Sequence, residues 1–112
     1  MQFMIKAMDG ENKLEKRLEV RAQHIENIQK VKEYGSVICA GGLLDEEGKM
    51  KGSFLILDFE SKELFDRYLA REPYIIHKVW EDVQIEICNT VIQNDEIKIK
   101  KRIISLLLKC PG

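Results

Sequence analysis

This 112-residue sequence has few cysteines, few prolines and no long apolar run, and each shortage excludes a class of protein. Cys39, Cys88 and Cys110 are odd in number and lack Cys-x-x-Cys spacing, which argues against a disulfide framework and a zinc site. We expect them to be small buried residues, or in the case of Cys110 a free thiol in the tail. Two prolines and 45% hydrophobic content exclude a disordered chain. No window approaches the ~20 apolar residues of a membrane span, and no signal peptide is visible, so we expect a cytoplasmic protein.

The charge is almost balanced, with 18 basic and 19 acidic side chains and a formal net charge of -1. Such a chain has no overall field that would recruit nucleic acid or an anionic membrane, and we expect neither as a partner. Its length corresponds to one domain. Any ligand must therefore be recognised by a local site.

The clearest helical pattern covers residues 14–35. At ~100° per residue, five apolar side chains form a stripe that we expect to pack on a sheet: Leu14, Leu18, Ala22, Ile25 and Ile28. Arg17, Arg21 and His24 follow at spacings of four and three, which predicts that they project along one flank of this stripe. Gly35 is expected to end the helix in a left-handed conformation.

Four alternating or β-branched stretches predict strands, at residues 2–8, 36–40, 53–59 and 79–88. A second helix is predicted from an N-cap at Ser61 to Pro73, since proline disfavours helical geometry in the preceding residue. Gly41 and Gly42 begin a loop, residues 41–52, that connects a hairpin. The order βαββαβ predicts an α+β protein of the ferredoxin-like class, an antiparallel sheet with both helices on one face.

The strand predicted at residues 53–59 has no polar side. Its apolar side chains fall on two faces, Phe54 and Ile56 on one and Leu55, Leu57 and Phe59 on the other. A sheet with one solvated face should alternate, so the second face needs a cover. A second copy of the domain, packed sheet to sheet, is the simplest cover, and we expect a homodimer.

The end of the chain is expected to be an addition to this domain. The βαββαβ unit is complete by residue 89, so we assign residues 1–89 to the domain and residues 90–112 to a C-terminal extension. Residues 94–109 are predicted to form a helix, whose leucine run would dock on the body or on another subunit.

With these elements assigned, the chain resembles the YciI-like (YCII-related) family of small α+β-barrel proteins over residues 3–87. The resemblance rests on Asp9 at the first strand end, the run at residues 17–24, Gly35, Ala40-Gly41-Gly42, and Glu72-Pro73-Tyr74. It implies a ferredoxin-like fold that dimerises through its sheets, the dimeric α+β barrel. It also implies an active site built around a histidine and an acidic residue.

This sequence departs from the family pattern at three points. Gly42 stands where the family has proline, Glu72 stands where it has aspartate, and the ending after Ile87 differs. The acidic partner of the histidine is therefore either Asp9 or Glu72. Asp9 is favoured because it keeps the residue identity.

His24 is the candidate general base or acid, because an imidazole exchanges protons near neutral pH and a carboxylate on its second nitrogen fixes its tautomer. Arg17 and Arg21 could bind a carboxylate or an enolate through paired donors. Gly41, Gly42 and Tyr74 complete the expected substrate-binding residues. No metal-ligand spacing is visible, and we expect no cofactor. The alternative is that His24 forms a purely structural polar pair.

Two functions follow from these residues. The first is a homodimeric enzyme that acts on a small anionic metabolite by proton transfer, with lyase or isomerase chemistry. The second is a non-catalytic module of the same fold that binds a small ligand or a partner, or that serves in dimerisation. A catalytic site needs His24 within reach of both an acid and an open cavity. The sequence does not identify the substrate.

Overall fold

The computed structural model of the chain describes residues 1–92, so the predicted tail helix lies outside the described residues. The elements in chain order are β1 (Gln2–Asp9), α1 (Leu14–Lys30), a 3₁₀ turn (Val31–Glu33), β2 (Gly35–Leu44), β3 (Met50–Phe59), α2 (Lys62–Ala70), α3 (Pro73–Ile76) and β4 (Trp80–Cys88). The predicted order βαββαβ is confirmed, with the short α3 as an addition.

The strands form one antiparallel sheet in the order β2-β3-β1-β4. The buried side chains of the two central strands share one face, because they either pair across the ladder or, like Phe59, follow by two residues along β3: Phe3, Ile5, Ala7, Ser53, Leu55, Leu57 and Phe59. Val20 of α1 and Phe65 and Tyr68 of α2 complete the core on that face. The fold is therefore the predicted ferredoxin-like α+β fold, with the helices on one side of the sheet.

Both ends of α2 follow from local signals. The Ser61 hydroxyl accepts a hydrogen bond from the backbone N–H of Leu64, as expected of an N-cap. Glu72 has extended backbone geometry (ψ 114°) before Pro73, which begins α3. The Glu72 side chain caps α3 by accepting from the Tyr74 N–H. Pro73 thus ends one helix, begins the next and fixes Glu72 at their junction.

The predicted apolar stripe of α1 is wrong in its middle part, although Ile28 at its end packs against the core as expected. Leu18 is 59% exposed and Ile25 is 38% exposed. The buried residues of the helix instead follow spacings of three, four and three: Arg17, Val20, His24 and Asn27. Three of these four are polar, and burial of such groups is tolerated because each has hydrogen-bond partners.

The predicted role of Gly35 is also wrong. Helix α1 ends at Lys30, and Gly35 is the first residue of β2. In residues 1–92, Gly48 is the one glycine with a positive φ (82°). A Cβ on Gly35 would lie 2.5 Å from the carbonyl oxygen of Asp58. Gly35 is therefore suited to a close strand contact and does not end a helix.

Gly41 and Gly42 lie within β2 and do not form a loop, which corrects the predicted hairpin connection. The ladder continues to the pair Leu44 and Met50, and the reversal occurs at residues 45–49. A Cβ on Gly41 would lie 2.7 Å from the Phe54 ring, and one on Gly42 would overlap the Met50 sulfur. Cross-strand side chains occupy the space that side chains at these glycines would need.

The opposite face of the sheet is open. Its central residues include Met4, which is 39% exposed, Phe54, which is 37% exposed, and the half-buried Ile56. Cys39 lies on the same face and is exposed, contrary to the expected burial. The two-sided apolar character predicted for residues 53–59 is thus present. None of the helices within residues 1–92 has the length and apolarity needed to cross a membrane.

Candidate functional site

The site is organised around the imidazole of His24, two turns along α1 from Arg17. His24 Nδ1 lies 2.5 Å from Glu72 Oε1, although the two residues are 48 positions apart in the chain. His24 is 8% exposed and Glu72 is completely buried. The carboxylate therefore holds one ring nitrogen and leaves Nε2 as the nitrogen that can meet a ligand.

Glu72 receives hydrogen bonds from four groups. Oε1 accepts from the Tyr74 backbone N–H (3.1 Å) in addition to His24. Oε2 accepts from Asn27 Nδ2 (3.1 Å) and from the Tyr68 hydroxyl (2.8 Å). Four donors offset the cost of burying the carboxylate and hold its plane in one orientation. That rigidity in turn orients the imidazole.

A buried ion pair, Arg17 with Asp9, lies at the other end of the same helix face. Arg17 Nε donates to Asp9 Oδ2 at 2.6 Å, and Nη2 donates to Asp9 Oδ1 at 3.2 Å. Nη2 also donates to Ser53 Oγ at 2.5 Å. The Trp80 indole N–H donates to the same oxygen at 3.2 Å. Asp9 at the end of β1 therefore orients the guanidinium rather than the imidazole.

Tyr74 connects the two pairs. Its ring stacks on the His24 imidazole with centroids 4.0 Å apart, and the Arg17 guanidinium carbon lies 4.6 Å from the Tyr74 centroid. The Tyr74 hydroxyl donates to the Arg17 carbonyl oxygen at 3.4 Å. Burial raises the pKa of the Tyr74 phenol above its ordinary value, and the charges of Arg17 and Arg21 partly oppose this rise. Tyr74 thus stays protonated at neutral pH.

A cavity of about 270 Å³ opens beside these residues, between α1 and the β2–β3 hairpin. It is lined by Arg17, Arg21, His24, Ile25, Ile28, Gln29, Ala40, Gly41, Gly42, Met50, Ser53 and Tyr74. A cavity of roughly 150 Å³ can hold a benzene, so this volume suits a small substituted ring or a short acid. Its lining, among the described residues, contains two arginines and no acidic side chain.

The structure brings together six of the eight predicted site residues on this cavity: Arg17, Arg21, His24, Gly41, Gly42 and Tyr74. Glu72 lies behind His24 and does not line the cavity. The preference for Asp9 as the acidic partner of the imidazole was wrong, because its carboxylate is paired with Arg17. The longer glutamate side chain at position 72 is the one that reaches the imidazole.

Four residues of the site were missed from the sequence: Asn27, Ser53, Tyr68 and Trp80. Two of them carried a usable signal. Asn27 follows His24 by three residues and therefore shares its helix face. Ser53 has the same strand parity as Leu55 and Leu57, which assigns it to the helix-covered face. Tyr68 and Trp80 resembled ordinary core residues.

Two other features of residues 1–92 contribute no comparable chemistry. A larger groove of about 690 Å³, between the start of β2 and α2, is lined by Glu33, Asp58 and Glu60 among others. It contains no histidine and no arginine. In this part of the chain, no three histidine, cysteine, aspartate or glutamate side chains are grouped as metal ligands.

The geometry can be compared with known proteins. Protein YciI of Escherichia coli is 30% identical over 92 residues, which covers 77% of this chain and 94% of that protein. An uncharacterized protein of Haemophilus influenzae is 32% identical with the same coverage.

The crystal structure of 5-chloro-2-hydroxyhydroquinone dehydrochlorinase from Burkholderia phenoliruptrix, in complex with 2,5-dihydroxybenzoquinone, superposes with a TM-score of 0.69. It is 22% identical and covers 80% of this chain and 94% of its own length, which shows a shared fold. The sequence profile of the YCII-related domain matches residues 1–89. The chain therefore belongs to the family of YCII-related domains.

Proposed function

We propose that this chain is a small-molecule enzyme that uses His24 to transfer a proton, in a cofactor-free lyase or isomerase reaction on a small anionic metabolite. One observation carries the proposal. His24 Nδ1 is held by Glu72, while Nε2 has no partner among the described residues. No buried side-chain nitrogen in residues 1–92 is left without a partner, so Nε2 retains contact with solvent. The cavity supplies that contact, since His24 is part of its lining.

The arrangement supports general base catalysis. Because Nδ1 donates to the carboxylate, the neutral ring presents a lone pair on Nε2. When Nε2 takes a proton from the substrate, Glu72 stabilises the imidazolium without itself accepting the proton. Four donors already surround the Glu72 carboxylate and keep it in place during this change of charge.

The charge of the lining supports an anionic substrate. Arg17 and Arg21 line the cavity. The acidic partners of Arg17 and His24, Asp9 and Glu72, are not part of the lining. Arg17 Nη1 has no partner among the described residues and, by the same reasoning as for Nε2, remains accessible. A substrate carboxylate, phenolate or enolate would meet this donor.

The test is proton exchange in D₂O, followed by ¹H NMR on a panel of small anionic enols, hydroxyquinones and hydroxyacids. The panel begins with 2,5-dihydroxybenzoquinone, the molecule bound in the structural neighbour. We expect the wild-type protein to accelerate exchange of a C–H proton in at least one compound. His24→Asn should abolish the acceleration while the compound still binds.

His77→Asn is the matched control, because His77 is exposed at the end of α3 and does not line the cavity. It should leave exchange unchanged. If compounds bind to the wild-type protein but none exchanges faster than in buffer, the catalytic proposal fails. The chain would then be the alternative, a non-catalytic module that binds a small ligand in the same cavity.

We also propose that the chain functions as a homodimer joined through the open face of the sheet. The support is the apolar cluster of Met4, Phe54 and Ile56 on the central strands, where a monomer would present a polar face to water. A second copy related by a two-fold axis would cover this cluster with its own. The helices and the site lie on the opposite face.

Phe54→Asp is expected to convert the dimer into a monomer in analytical ultracentrifugation, because it would bury a carboxylate between the two sheets. Leu18→Asp is the control, since Leu18 is an exposed apolar residue on the outer surface of α1. It should leave the sedimentation coefficient unchanged. A wild-type protein that is monomeric at micromolar concentration contradicts the proposal.

A further inference from the structure

Ser53 has a hydroxyl whose hydrogen bonds can be counted completely. A serine oxygen has two lone pairs and one proton. Arg17 Nη2 and the Trp80 indole N–H both donate to Ser53 Oγ, at 2.5 Å and 3.2 Å. Both lone pairs are therefore occupied. The remaining interaction available to this group is donation of its own proton.

The proton of Ser53 has no acceptor in the described part of the chain. Both hydrogen bonds in which Ser53 Oγ takes part are ones that it accepts. Ser53 is 1% exposed, and the open space next to it is the cavity that it lines. The unused donor and the free Nη1 of Arg17 therefore border the same space. Two donors that converge on one cavity form a site for an oxygen atom.

We propose that Ser53 is a substrate-binding residue, whose hydroxyl donates to the oxygen that gains negative charge during the reaction. This inference rests on the proposed function and names its substrate class, a molecule with a carbonyl or enol oxygen next to an acidic C–H bond. His24 Nε2 takes the proton from carbon, the C–H electron pair forms the C=C bond, and the carbonyl pair moves onto oxygen. Ser53 and Arg17 stabilise this enolate and keep their own protons.

The same count argues against Ser53 as a nucleophile. A serine nucleophile transfers its proton to a neighbouring base, and Ser53 makes no hydrogen bond to His24. Its neighbours are instead two donors, one of them cationic. A hydroxyl that accepts from a guanidinium is polarised and becomes a stronger donor. Its environment suits stabilisation of an anion.

The experiment measures binding of 2,5-dihydroxybenzoquinone by calorimetry to the wild-type protein, Ser53→Ala and Ser53→Thr. Loss of one hydrogen bond to a charged oxygen should weaken binding by Ser53→Ala about 10-fold to 100-fold. Ser53→Thr keeps a hydroxyl and should recover most of the affinity. Cys88→Ser, remote from the cavity on β4, is the control for handling and should bind as the wild type does.

Each outcome separates this inference from the proposed function. If Ser53→Ala binds the probe as tightly as the wild type, Ser53 is not a binding residue, whereas the role of His24 is untouched. If the wild-type protein does not bind the probe at millimolar concentration, the assigned substrate class is wrong. If His24→Asn retains binding and Ser53→Ala loses it, Ser53 is a binding residue even where no exchange is seen, and only the proposed reaction fails. A covalent adduct at Ser53 in mass spectrometry would overturn the donor role.

Discussion

The two buried side-chain pairs on the inner face of α1 each join a basic residue to a carboxylate, but they differ in what they can do. Arg17 and Asp9 form one pair, with side chains 4% and 6% exposed, and His24 and Glu72 form the other. Arginine stays protonated in proteins, so the first pair is a permanent charge arrangement. The imidazole can give up its proton, so the second pair can change its charge. One helix face thus carries a fixed cation and a proton carrier two turns apart.

The hydrogen bonds around the two carboxylates differ accordingly. Asp9 accepts two hydrogen bonds from Arg17, whereas Glu72 accepts from His24, Asn27, Tyr68 and Tyr74. Glu72 therefore has three donors besides the imidazole, and these stay in place whatever the charge of the ring. Here the carboxylate next to the imidazole, a group that can change its charge, has hydrogen bonds from other residues that hold it in place. The carboxylate next to the permanently charged arginine has hydrogen bonds from that arginine.

The largest expected effect comes from breaking each pair by removing its carboxylate charge. Asp9→Asn leaves a buried guanidinium without its counter-ion and should lower the free energy of unfolding by about 3–5 kcal/mol. Glu72→Gln should cost less, about 1–3 kcal/mol, because a neutral imidazole needs no counter-ion and about one buried donor loses its acceptor. Urea unfolding at neutral pH measures both. An equal decrease in the free energy of unfolding in the two variants would contradict the distinction between the pairs.

A second test concerns the imidazole itself. In the wild-type protein, ¹⁵N NMR of neutral His24 should show the proton on Nδ1, where Glu72 accepts it. Glu72→Gln can turn its amide nitrogen toward Nδ1, which should move the proton to Nε2 and abolish general base activity. His77 is exposed and provides the internal reference spectrum. An unchanged His24 tautomer in the variant would show that Glu72 does not control it.

A third prediction concerns the loss of folding stability at alkaline pH, which we expect to be of intermediate size. Burial, and then the charge of Glu72, raise the pKa of Tyr68 far above its ordinary value of 10.0. The folded protein therefore keeps this proton where the unfolded chain loses it, and stability should fall above about pH 10 by up to ~1.4 kcal/mol per pH unit. Below pH 10 this contribution is fully present.

Tyr68→Phe should be less stable than the wild type at neutral pH, and its deficit should shrink as the pH rises above 10. Tyr74→Phe should show a smaller change of the same sign, because Arg17 and Arg21 oppose the rise in the pKa of Tyr74. Thermal unfolding between pH 8 and about pH 11 measures the slopes. A deficit that does not depend on pH would argue against burial of the two phenols.

The smallest effect is expected at Arg21, the exposed arginine of the cavity. Arg21→Ala should change stability by less than about 0.5 kcal/mol. It should weaken binding of 2,5-dihydroxybenzoquinone by about 0.5–1 kcal/mol at low salt, and less at high salt. Lys30→Ala removes an exposed charge outside the cavity and serves as the control. Equal affinity losses in both variants would indicate a general charge effect only.

Much of the fold could be predicted because its signals are local. Alternation in β1, the Ser61 cap and the break before Pro73 each depend on a few neighbouring residues, and each was confirmed. The glycines were misassigned for the opposite reason. Gly41 and Gly42 are required by the Phe54 and Met50 side chains of the neighbouring strand, which no local pattern reveals. A glycine pair reads the same in a turn and in a crowded strand.

The inner face of α1 shows the same limit. Apolar periodicity predicted Leu18 and Ile25 as inward residues, yet Arg17 and His24 are the buried ones. Hydrophobicity alone ranks an arginine as an outward residue. Arg17 and His24 are buried nevertheless, because Asp9, Ser53 and Glu72 form hydrogen bonds with them. These bonds offset the free-energy cost of removing the polar groups from water.

Spacing along the chain was enough to predict the order of strands and helices, the histidine and arginines on one helix, and the two-sided apolar strand at residues 53–59. The pairing of Glu72 with His24 and of Asp9 with Arg17 does not follow from spacing and is set by the fold. A hydrogen bond depends on position in space, and residues 24 and 72 meet because α1 packs against α3, whose N-cap is Glu72.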